Sequence, residues 1–355
     1  MCSSVPSSVK LNNMSKPATI KDIARELNLS TSTVSRALND RWDINRETRD
    51  KVLEAAKKLN YKPNLMSLGL KRSQTYTIGV IIPEFVNSFF AEVINGINSV
   101  LQNQNYQLLI CQSNESWEAE QNNIRFLESR YVDGYLVSVS HDAANREYYS
   151  GLLEKGTPLV FFNRICEGVA APRVIVDDHK WAYEATEHLI RQGCRRIAHL
   201  KGPDNLSVTT HRLSGYLDAI KSYGLPMDDS LVVPSGIFLK DGEAAAARIL
   251  QMPERPDGIF AVNDPAAIGA MRILKRNGVR IPEDMAVVGF SESPMATVIE
   301  PNLSSVAQPT FEIGASAARL ILEWIQSERI PRTGQIILDA TLNIRESSLR
   351  SGLKR

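Results

Sequence analysis

The chain has 355 residues, a length that suggests two or three domains, and its 43% hydrophobic and 23% charged residues are ordinary globular material. No run approaches the ~18 apolar residues of a membrane span. Cys2, Cys111, Cys166 and Cys194 stand too far apart for a C-x-x-C pair or a zinc pattern and read as reduced thiols of a cytoplasmic protein, Cys111 in a buried strand. The net charge of +1 hides an asymmetry: residues 1–72 carry 14 Lys and Arg against 7 Asp and Glu, a net of +7, and the remainder carries 27 against 33, a net of −6. That is the distribution expected where only one end of a chain neutralises phosphates.

The first 17 residues are Ser/Asn-rich without an apolar core, so 1–17 reads as a disordered tail, not a signal peptide. Thr19 to Leu38, TIKDIARELNLSTSTVSRAL, then reads as two short helices joined by a tight turn. Thr19 is a fit N-cap with Asp22 in the first turn, and Ile20, Ile23, Ala24 and Leu27 share one apolar face. Asn28-Leu29-Ser30 breaks the pattern, with Leu29 free to plug inward and Ser30 placed to cap the second helix. There Val34, Ala37 and Leu38 face the first helix, and Thr31, Ser32, Ser35 and Arg36 are left outside. Small hydrogen-bonding groups near a helix N-terminus let a backbone approach base edges in the major groove, and the helix N-terminus favours a phosphate. On these residues alone a solvated helix pair remains the alternative. A third helix, capped by Asn45, carries Val52, Ala55, Ala56 and Leu59 and stops at Asn60-Tyr61-Lys62-Pro63-Asn64. Three helices in about 45 residues can just support a core.

The strings ATIKDIARELNLSTSTVSRALN, INRETRDKVLEAAKKLNYKPN and LMSLGLKRSQTYTIGVIIP, in this order and spacing, resemble the LacI/GalR-type bacterial transcription regulators. The resemblance runs from about Ala18 nearly to the C-terminus. It implies a helix-turn-helix domain over 18–62 that contacts DNA through Thr19, Ser30, Thr31, Ser32, Thr33, Ser35, Arg36, Asn39 and Tyr61. It also implies a hinge over 63–75 that folds on DNA when two copies meet and contributes Asn64, Leu70 and Lys71. Leu70 aligns with the family's leucine that wedges into a central minor-groove step, and apolar wedges kink DNA. Leu65, Met66, Leu68 and Leu70 fit a self-pairing apolar helix, though the free segment is too short for a stable one. Without the resemblance, an ordinary linker fits these residues equally well.

From Thr77 strands alternate with helices. Ile78–Ile82 is a continuous apolar run, as in a buried parallel strand. Helix is expected at Phe89–Gln104 and Glu118–Arg130, with strands at Gln107–Cys111, Val132–Val137 and Pro158–Phe162. A second set opens with strand Arg173–Val176 and helix Lys180–Gln192. It continues through Ile197–Leu200, helix His211–Tyr223, Val232-Val233, helix Lys240–Met252, Gly258–Val262, helix Pro265–Asn277 and Met285–Gly289. Such alternation implies doubly wound parallel sheets. The fold class is therefore α/β, a three-helix helix-turn-helix domain plus a two-lobed core over 76–350. By resemblance this core is like the periplasmic sugar-binding proteins, and the chain crosses between lobes near Asn163, Ser291 and Ser327. That gives an N-lobe of about 76–163 and 292–327 and a C-lobe of about 164–291 and 328–350.

Ligands of open α/β sheets bind at the carboxyl ends of strands. Those loops carry Asn87, Phe89, Phe90, Asn163, Arg164, Arg212, Phe238, Asp264 and Ser291, which match the positions the family uses for its effector. Arg forks and carboxylates hold hydroxyls, and aromatic faces stack on sugar C–H surfaces. Each residue also has a structural reading: Asp264 before Pro265 as a helix cap, Arg212 as a bridge between loops, Phe89 and Phe90 as core. Ser291 and Asn163 stand where the family often has Asp, which weakens the case for any particular simple sugar. Cys194, where the family usually has His, reads as structural, and His188 as a packed helix residue.

No catalytic residue, metal site or cofactor motif is found: GxGxxG after the first strand, GxxxxGK[ST], HExxH and GxSxG are absent, and the five histidines show no metal spacing. The expected protein is a cytoplasmic homodimer that binds a double-stranded DNA operator. It is a regulator, more readily a repressor, controlled by a small molecule, most readily a sugar or sugar derivative. The alternatives are a purine or protein co-effector, or a solute-binding protein. The resemblance makes Asn87–Leu101 and Ile313–Trp324 the expected dimer-facing helices, and the tail from Ser347 lacks a heptad repeat, which favours a dimer over a tetramer.

Overall fold

The computed structural model describes residues 18–61, 74–141, 144–332 and 334–350. The chain divides into two compact units, one ending at Thr75 and the other beginning at Tyr76. The expected tail 1–17 and the hinge residues Asn64, Leu65, Met66, Leu68, Leu70 and Lys71 lie outside the described residues.

The small unit holds α1 (Ile20–Leu27), α2 (Thr31–Leu38) and α3 (Arg46–Lys58). Each start has a local cause. The Asp22 carboxylate accepts from the Thr19 amide at 2.9 Å and the Thr19 hydroxyl at 2.7 Å. Ser30 Oγ accepts from the Thr33 amide at 3.0 Å, and Asn45 Oδ1 accepts from the Thr48 amide at 2.7 Å. Asn28 ends α1 in the left-handed region (φ 52°), which asparagine tolerates. The core is small: Ile23, Val34 and Val52 with Ala24, Ala37, Ala55 and Ala56, rimmed by half-buried Leu27, Leu29, Leu38, Ile44, Leu59 and Tyr61.

The large unit holds two six-stranded sheets. The first contains β1 (Thr77–Ile82), β2 (Gln107–Gln112), β3 (Gly134–Val137), β4 (Leu159–Phe162), β5 (Arg173–Val176) and β11 (Gln335–Leu338), in the order β2-β1-β3-β4-β5-β11, all parallel. The second contains β6 (Ile197–Lys201), β7 (Val232–Pro234), β8 (Gly258–Ala261), β9 (Ala286–Phe290), β10 (Ser304–Ala307) and β12 (Thr341–Asn343), in the matching order β7-β6-β8-β9-β10-β12. Only the β10–β12 pair is antiparallel. Strands β3, β4, β8 and β9 are buried end to end, as expected for sheets covered on both faces. The covering helices are α4 (Ser88–Leu101), α5 (Trp117–Ser129), α6 (Arg146–Glu154), α7 (Asp178–Arg191), α8 (Ser207–Ser222), α9 (Leu239–Leu250), α10 (Asp264–Arg276) and α11 (Thr310–Ser327).

The lobe boundaries differ from those expected. Strand β5 belongs to the first sheet, beside β4, and β10 belongs to the second, beside β9. The crossings therefore follow Val176, Ala307 and Leu338, not Asn163, Ser291 and Ser327. The cause is the same in both lobes. The fourth and fifth strands of each sheet are joined without an α-helix, by 163–172 in one lobe and 291–303 in the other, so strict alternation misplaces the switch. The short elements α6, β10, β11 and β12 were not expected. Cys111 lies partly exposed on the edge strand β2, not in a buried one.

Candidate functional site

In the small unit, Thr31, Ser32 and Arg36 lie exposed on one side of α2, and Thr33 and Ser35 are half-buried. Several of the expected contact residues already have local partners. Ser30 Oγ lies 2.7 Å from Ser32 Oγ and 2.8 Å from Thr33 Oγ1. Arg36 Nη1 donates to Asp43 Oδ2 at 2.8 Å, and Asn39 Nδ2 donates to the Ser35 carbonyl at 2.7 Å. Tyr61 is half-buried against the small core, and burial pushes its phenol up from the usual value. The first turn of α2 thus presents backbone amides and small hydroxyls on a preset frame, a surface suited to phosphates and base edges.

In the large unit, a cleft of about 380 Å³ opens between the carboxyl ends of the two sheets. Glu84, Val86, Asn87, Ser88 and Arg164 line it from the first lobe. Ile237, Phe238, Leu239, Asn263, Pro265, Ile268, Ser293, Pro294 and Met295 line it from the second. All follow β1, β4, β7, β8 or β9, so strand-end placement accounts for the whole wall. The first-lobe wall is mostly polar. Arg164 Nη1 donates to Glu115 Oε2 at 2.7 Å, and the Asn87 amide donates to Glu84 Oε2 at 2.7 Å while Asn87 Oδ1 accepts from the Phe89 amide at 3.1 Å. Burial raises the Glu84 carboxyl above its usual value against the pull of the Asn87 and Val86 amides and of Arg164. The second-lobe wall is mostly apolar, with Asn263 capping α10 through the Ala266 amide at 3.0 Å and donating to the Ile237 carbonyl at 2.8 Å.

Of the expected effector residues, Asn87, Arg164 and Phe238 line the cleft; Phe89, Phe90, Asn163, Arg212, Asp264 and Ser291 do not. Phe89 and Phe90 are core, packed edge-to-face at 5.1 Å. Asn163 turns the chain (φ 58°) and donates its amide to Val174. Ser291 holds φ 112°, and its Oγ accepts from Gln308 Nε2 at 3.3 Å. Arg212 bridges Asp178 Oδ1 at 2.7 Å and the Val262 carbonyl at 2.6 Å, with its guanidinium 3.7 Å from the Phe290 ring centroid. Burial raises the Asp178 carboxyl even with Arg212 beside it. Asp264 is not a cap, since Asn263 has that place. Its carboxylate accepts from the Ser293 amide at 2.5 Å and from Ser305 Oγ at 2.6 Å, tying α10 to the loop after β9 and to β10. Arg212 and Asp264 thus brace the loops that carry Asn263 and Ser293.

Glu84, Val86, Ser88, Ile237, Leu239, Pro265, Ile268, Ser293, Pro294 and Met295 were not singled out from the sequence. The available signal was that each lies within a few residues of a strand's carboxyl end. Among the described residues no group of His, Cys, Asp and Glu is placed to hold a metal ion, and no helix is long and apolar enough to cross a membrane.

A helix-turn-helix unit on the same chain as a two-lobed ligand cleft defines a DNA-binding transcription regulator, not an enzyme. Residues 19–64 match the family model for bacterial regulatory proteins of the lacI family, and residues 75–343 match that for periplasmic binding proteins and the sugar-binding domain of the LacI family. The chain is 31% identical over 343 residues to the HTH-type transcriptional repressor CytR of Escherichia coli (strain K12), across 96% of this chain and 99% of that one. It is 34% identical to the HTH-type transcriptional repressor PurR of Vibrio atlanticus (strain LGP32), across 88% and 93%. A solved complex of the transcriptional regulator CelR with cellobiose superposes with a TM-score of 0.71 at 30% identity, covering 93% of this chain and 99% of that one. The chain belongs to the LacI family of bacterial transcription regulators.

Proposed function

We propose that this regulator acts in the cytoplasm as a homodimeric repressor, reading its operator through the outer face of α2 and releasing or gripping it in response to a neutral, polyhydroxylated small molecule in the interlobe cleft. The observation that carries the effector class is the pairing at the first-lobe wall. The Arg164 guanidinium is matched by Glu115 and faces the buried carboxyl of Glu84, so the wall offers no surplus positive charge to an anion, while Asn87, Ser88 and Arg164 offer hydroxyl partners. Phe238 and its apolar neighbours supply the face on which ring C–H groups stack. Thr19, Asn64, Leu70 and Lys71 complete the proposed DNA contacts. A thermal-shift screen of the full chain against neutral sugars, sugar phosphates, sugar acids, nucleosides and nucleobases tests the reading. Neutral sugars are expected to stabilise, and hits confined to phosphates or sugar acids would sink it.

The apolar second-lobe wall favours a second reading, a ligand with a planar apolar face such as a nucleoside or nucleobase. Stabilisation by that part of the panel alone would select it.

A further inference from the structure

Trp42 is the outlier of the small unit. Its side chain is 94% exposed, although the core beside it is built from four alanines and three β-branched residues. An indole carries about 150–250 Å² of surface that folding normally hides. The loop that holds it out is firmly tied. Asp40 pairs with Arg49 at 2.6 Å and Asp43 with Arg36 at 2.8 Å, so the carboxylates flanking Trp42 are each matched by an arginine. The Arg41 amide donates to the Arg36 carbonyl at 3.1 Å, the Ile44 amide donates to the Arg41 carbonyl at 3.2 Å, and Ile44 packs on the core. Arg41 and Arg46 are exposed to either side. The loop starts where α2 ends, and the Asp43–Arg36 pair ties it to the exposed face of α2 that carries Arg36.

We propose that Trp42 is a DNA contact, its ring lying against the deoxyribose-phosphate backbone beside the groove that α2 enters and its Nε1–H donating to a phosphate. The proposal rests on the DNA-binding function of the family. An aromatic ring with one donor and no acceptor gives position and affinity, not base choice. Presentation by a turn pinned on both sides means little ordering is left to be lost on binding, and the tie to the α2 face together with Arg41 and Arg46 favours DNA over an apolar partner.

The test uses the full chain and a fluorescein-labelled mixed-sequence duplex, with anisotropy read across a salt series. Trp42→Ala is expected to weaken binding by about fivefold or more, the low end of losses on truncating an aromatic that meets nucleic acid, with an unchanged slope against salt because no charge is removed. Trp42→Phe should recover part of the loss. Arg41→Ala should instead flatten the slope. Acrylamide quenching gives a second readout: the signal lost in Trp42→Phe should be shielded when DNA is bound. An alanine variant that binds within twofold of the parent, or a Trp42 signal that stays accessible in the complex, overturns the contact. A parent protein that does not bind the duplex at low salt overturns the DNA reading and the contact together. A 94% exposed side chain holds up no core, so an unchanged melting temperature is expected for both Trp42 variants.

Discussion

Asp264, His188 and His199 are ionisable groups buried in the second lobe, and they pull stability in opposite directions as pH changes. Burial pushes the Asp264 carboxyl up to about 6, against the bonds from Ser305 and Ser293. Burial pushes both imidazoles down to about 4; His188 bonds Ser348 Oγ at 2.7 Å, and His199 is stacked between Tyr216 and Phe260. A carboxyl raised in the folded state stabilises below its unfolded value near 3.8, and that contribution is lost as pH rises through about 6. A depressed imidazole works the other way: below the unfolded value near 6.5 the unfolded chain takes up the proton, so stability is lost as pH falls towards about 4. Each group is worth about 1.4 kcal/mol per pH unit in the shared window. Two histidines outweigh one aspartate, so these groups together make stability rise by about 1.4 kcal/mol per unit between pH ~4 and ~6. Asp264→Asn should steepen the measured rise of stability with pH by about 1.4 kcal/mol per unit in that window, as read by urea unfolding at several pH values; an unchanged slope would place the Asp264 carboxyl near its ordinary value. The cleft offers a contrast. Phe238 is 44% exposed, and its hydrogen bonds to Asp241 run through its backbone, so Phe238→Ala should leave the unliganded melting temperature within about 1 °C and cut the stabilisation by any ligand that stacks there. Asp264→Ala, by leaving the Ser293 amide and the Ser305 hydroxyl without their acceptor, should cost about 1–3 kcal/mol before any ligand is added.

At the scale of elements, the first lobe depends on how closely α4 and α11 approach. A Cβ built on Gly96 would stand 2.0 Å from the Phe311 carbonyl oxygen, and one on Gly314 would stand 1.9 Å from that of Val93. Each helix therefore seats a backbone carbonyl on the other's glycine. Glycine inside a helix costs about 1 kcal/mol relative to alanine, and here the close crossing it permits buries Val93, Ile97, Ile313 and Ala317. Gly314→Ala should favour the isolated helix yet destabilise the protein by about 1–3 kcal/mol through overpacking; a rise in melting temperature would show that the crossing relaxes freely. The same packing involves Ile313–Trp324, the stretch that the resemblance makes dimer-facing. Most of that stretch is buried in its own lobe, and α11 leaves Phe311, Arg319, Glu323, Gln326 and Ser327 exposed. Apolar periodicity was a sound guide to where helices run. Two helix caps were legible, since Ser30 and Asn45 each accept the amide that their position calls for, whereas the cap of α10 is Asn263 and not Asp264. The helixless links after β4 and β9 were not legible, because nothing local tells a strand which sheet it will join. Nor was the split between Asn87, Arg164 and Phe238 on the wall and Arg212 and Asp264 behind it, because strand-end placement fixes the loop and not the direction of its side chains.

For the whole molecule, charge and ligand response make a joint prediction. Residues 1–72 carry a net of +7 while the rest of the chain carries −6, so salt should act on DNA binding far more than on ligand binding. The logarithm of DNA affinity should fall linearly with the logarithm of salt, with a slope that counts phosphates neutralised. The affinity of a neutral ligand for a cleft whose arginine is already paired should barely move. The two equilibria are nonetheless linked through one chain. If the ligand lowers operator affinity by some factor, bound operator lowers ligand affinity by the same factor. A ligand at 100 times its dissociation constant adds about 2.7 kcal/mol of stability, a shift of about 5–10 °C for a unit of this size. Repeating the ligand titration with saturating operator should displace the curve by the factor measured in the DNA titration. Unequal factors would mean that more than one species was binding, and equal affinities with and without DNA would mean that this cleft does not speak to the operator at all. Phe238→Ala separates those outcomes. It should shift the ligand curve and leave the parent's DNA affinity in place when no ligand is present, because its ring lies on the cleft wall of the large unit, which holds none of the small unit's reading residues.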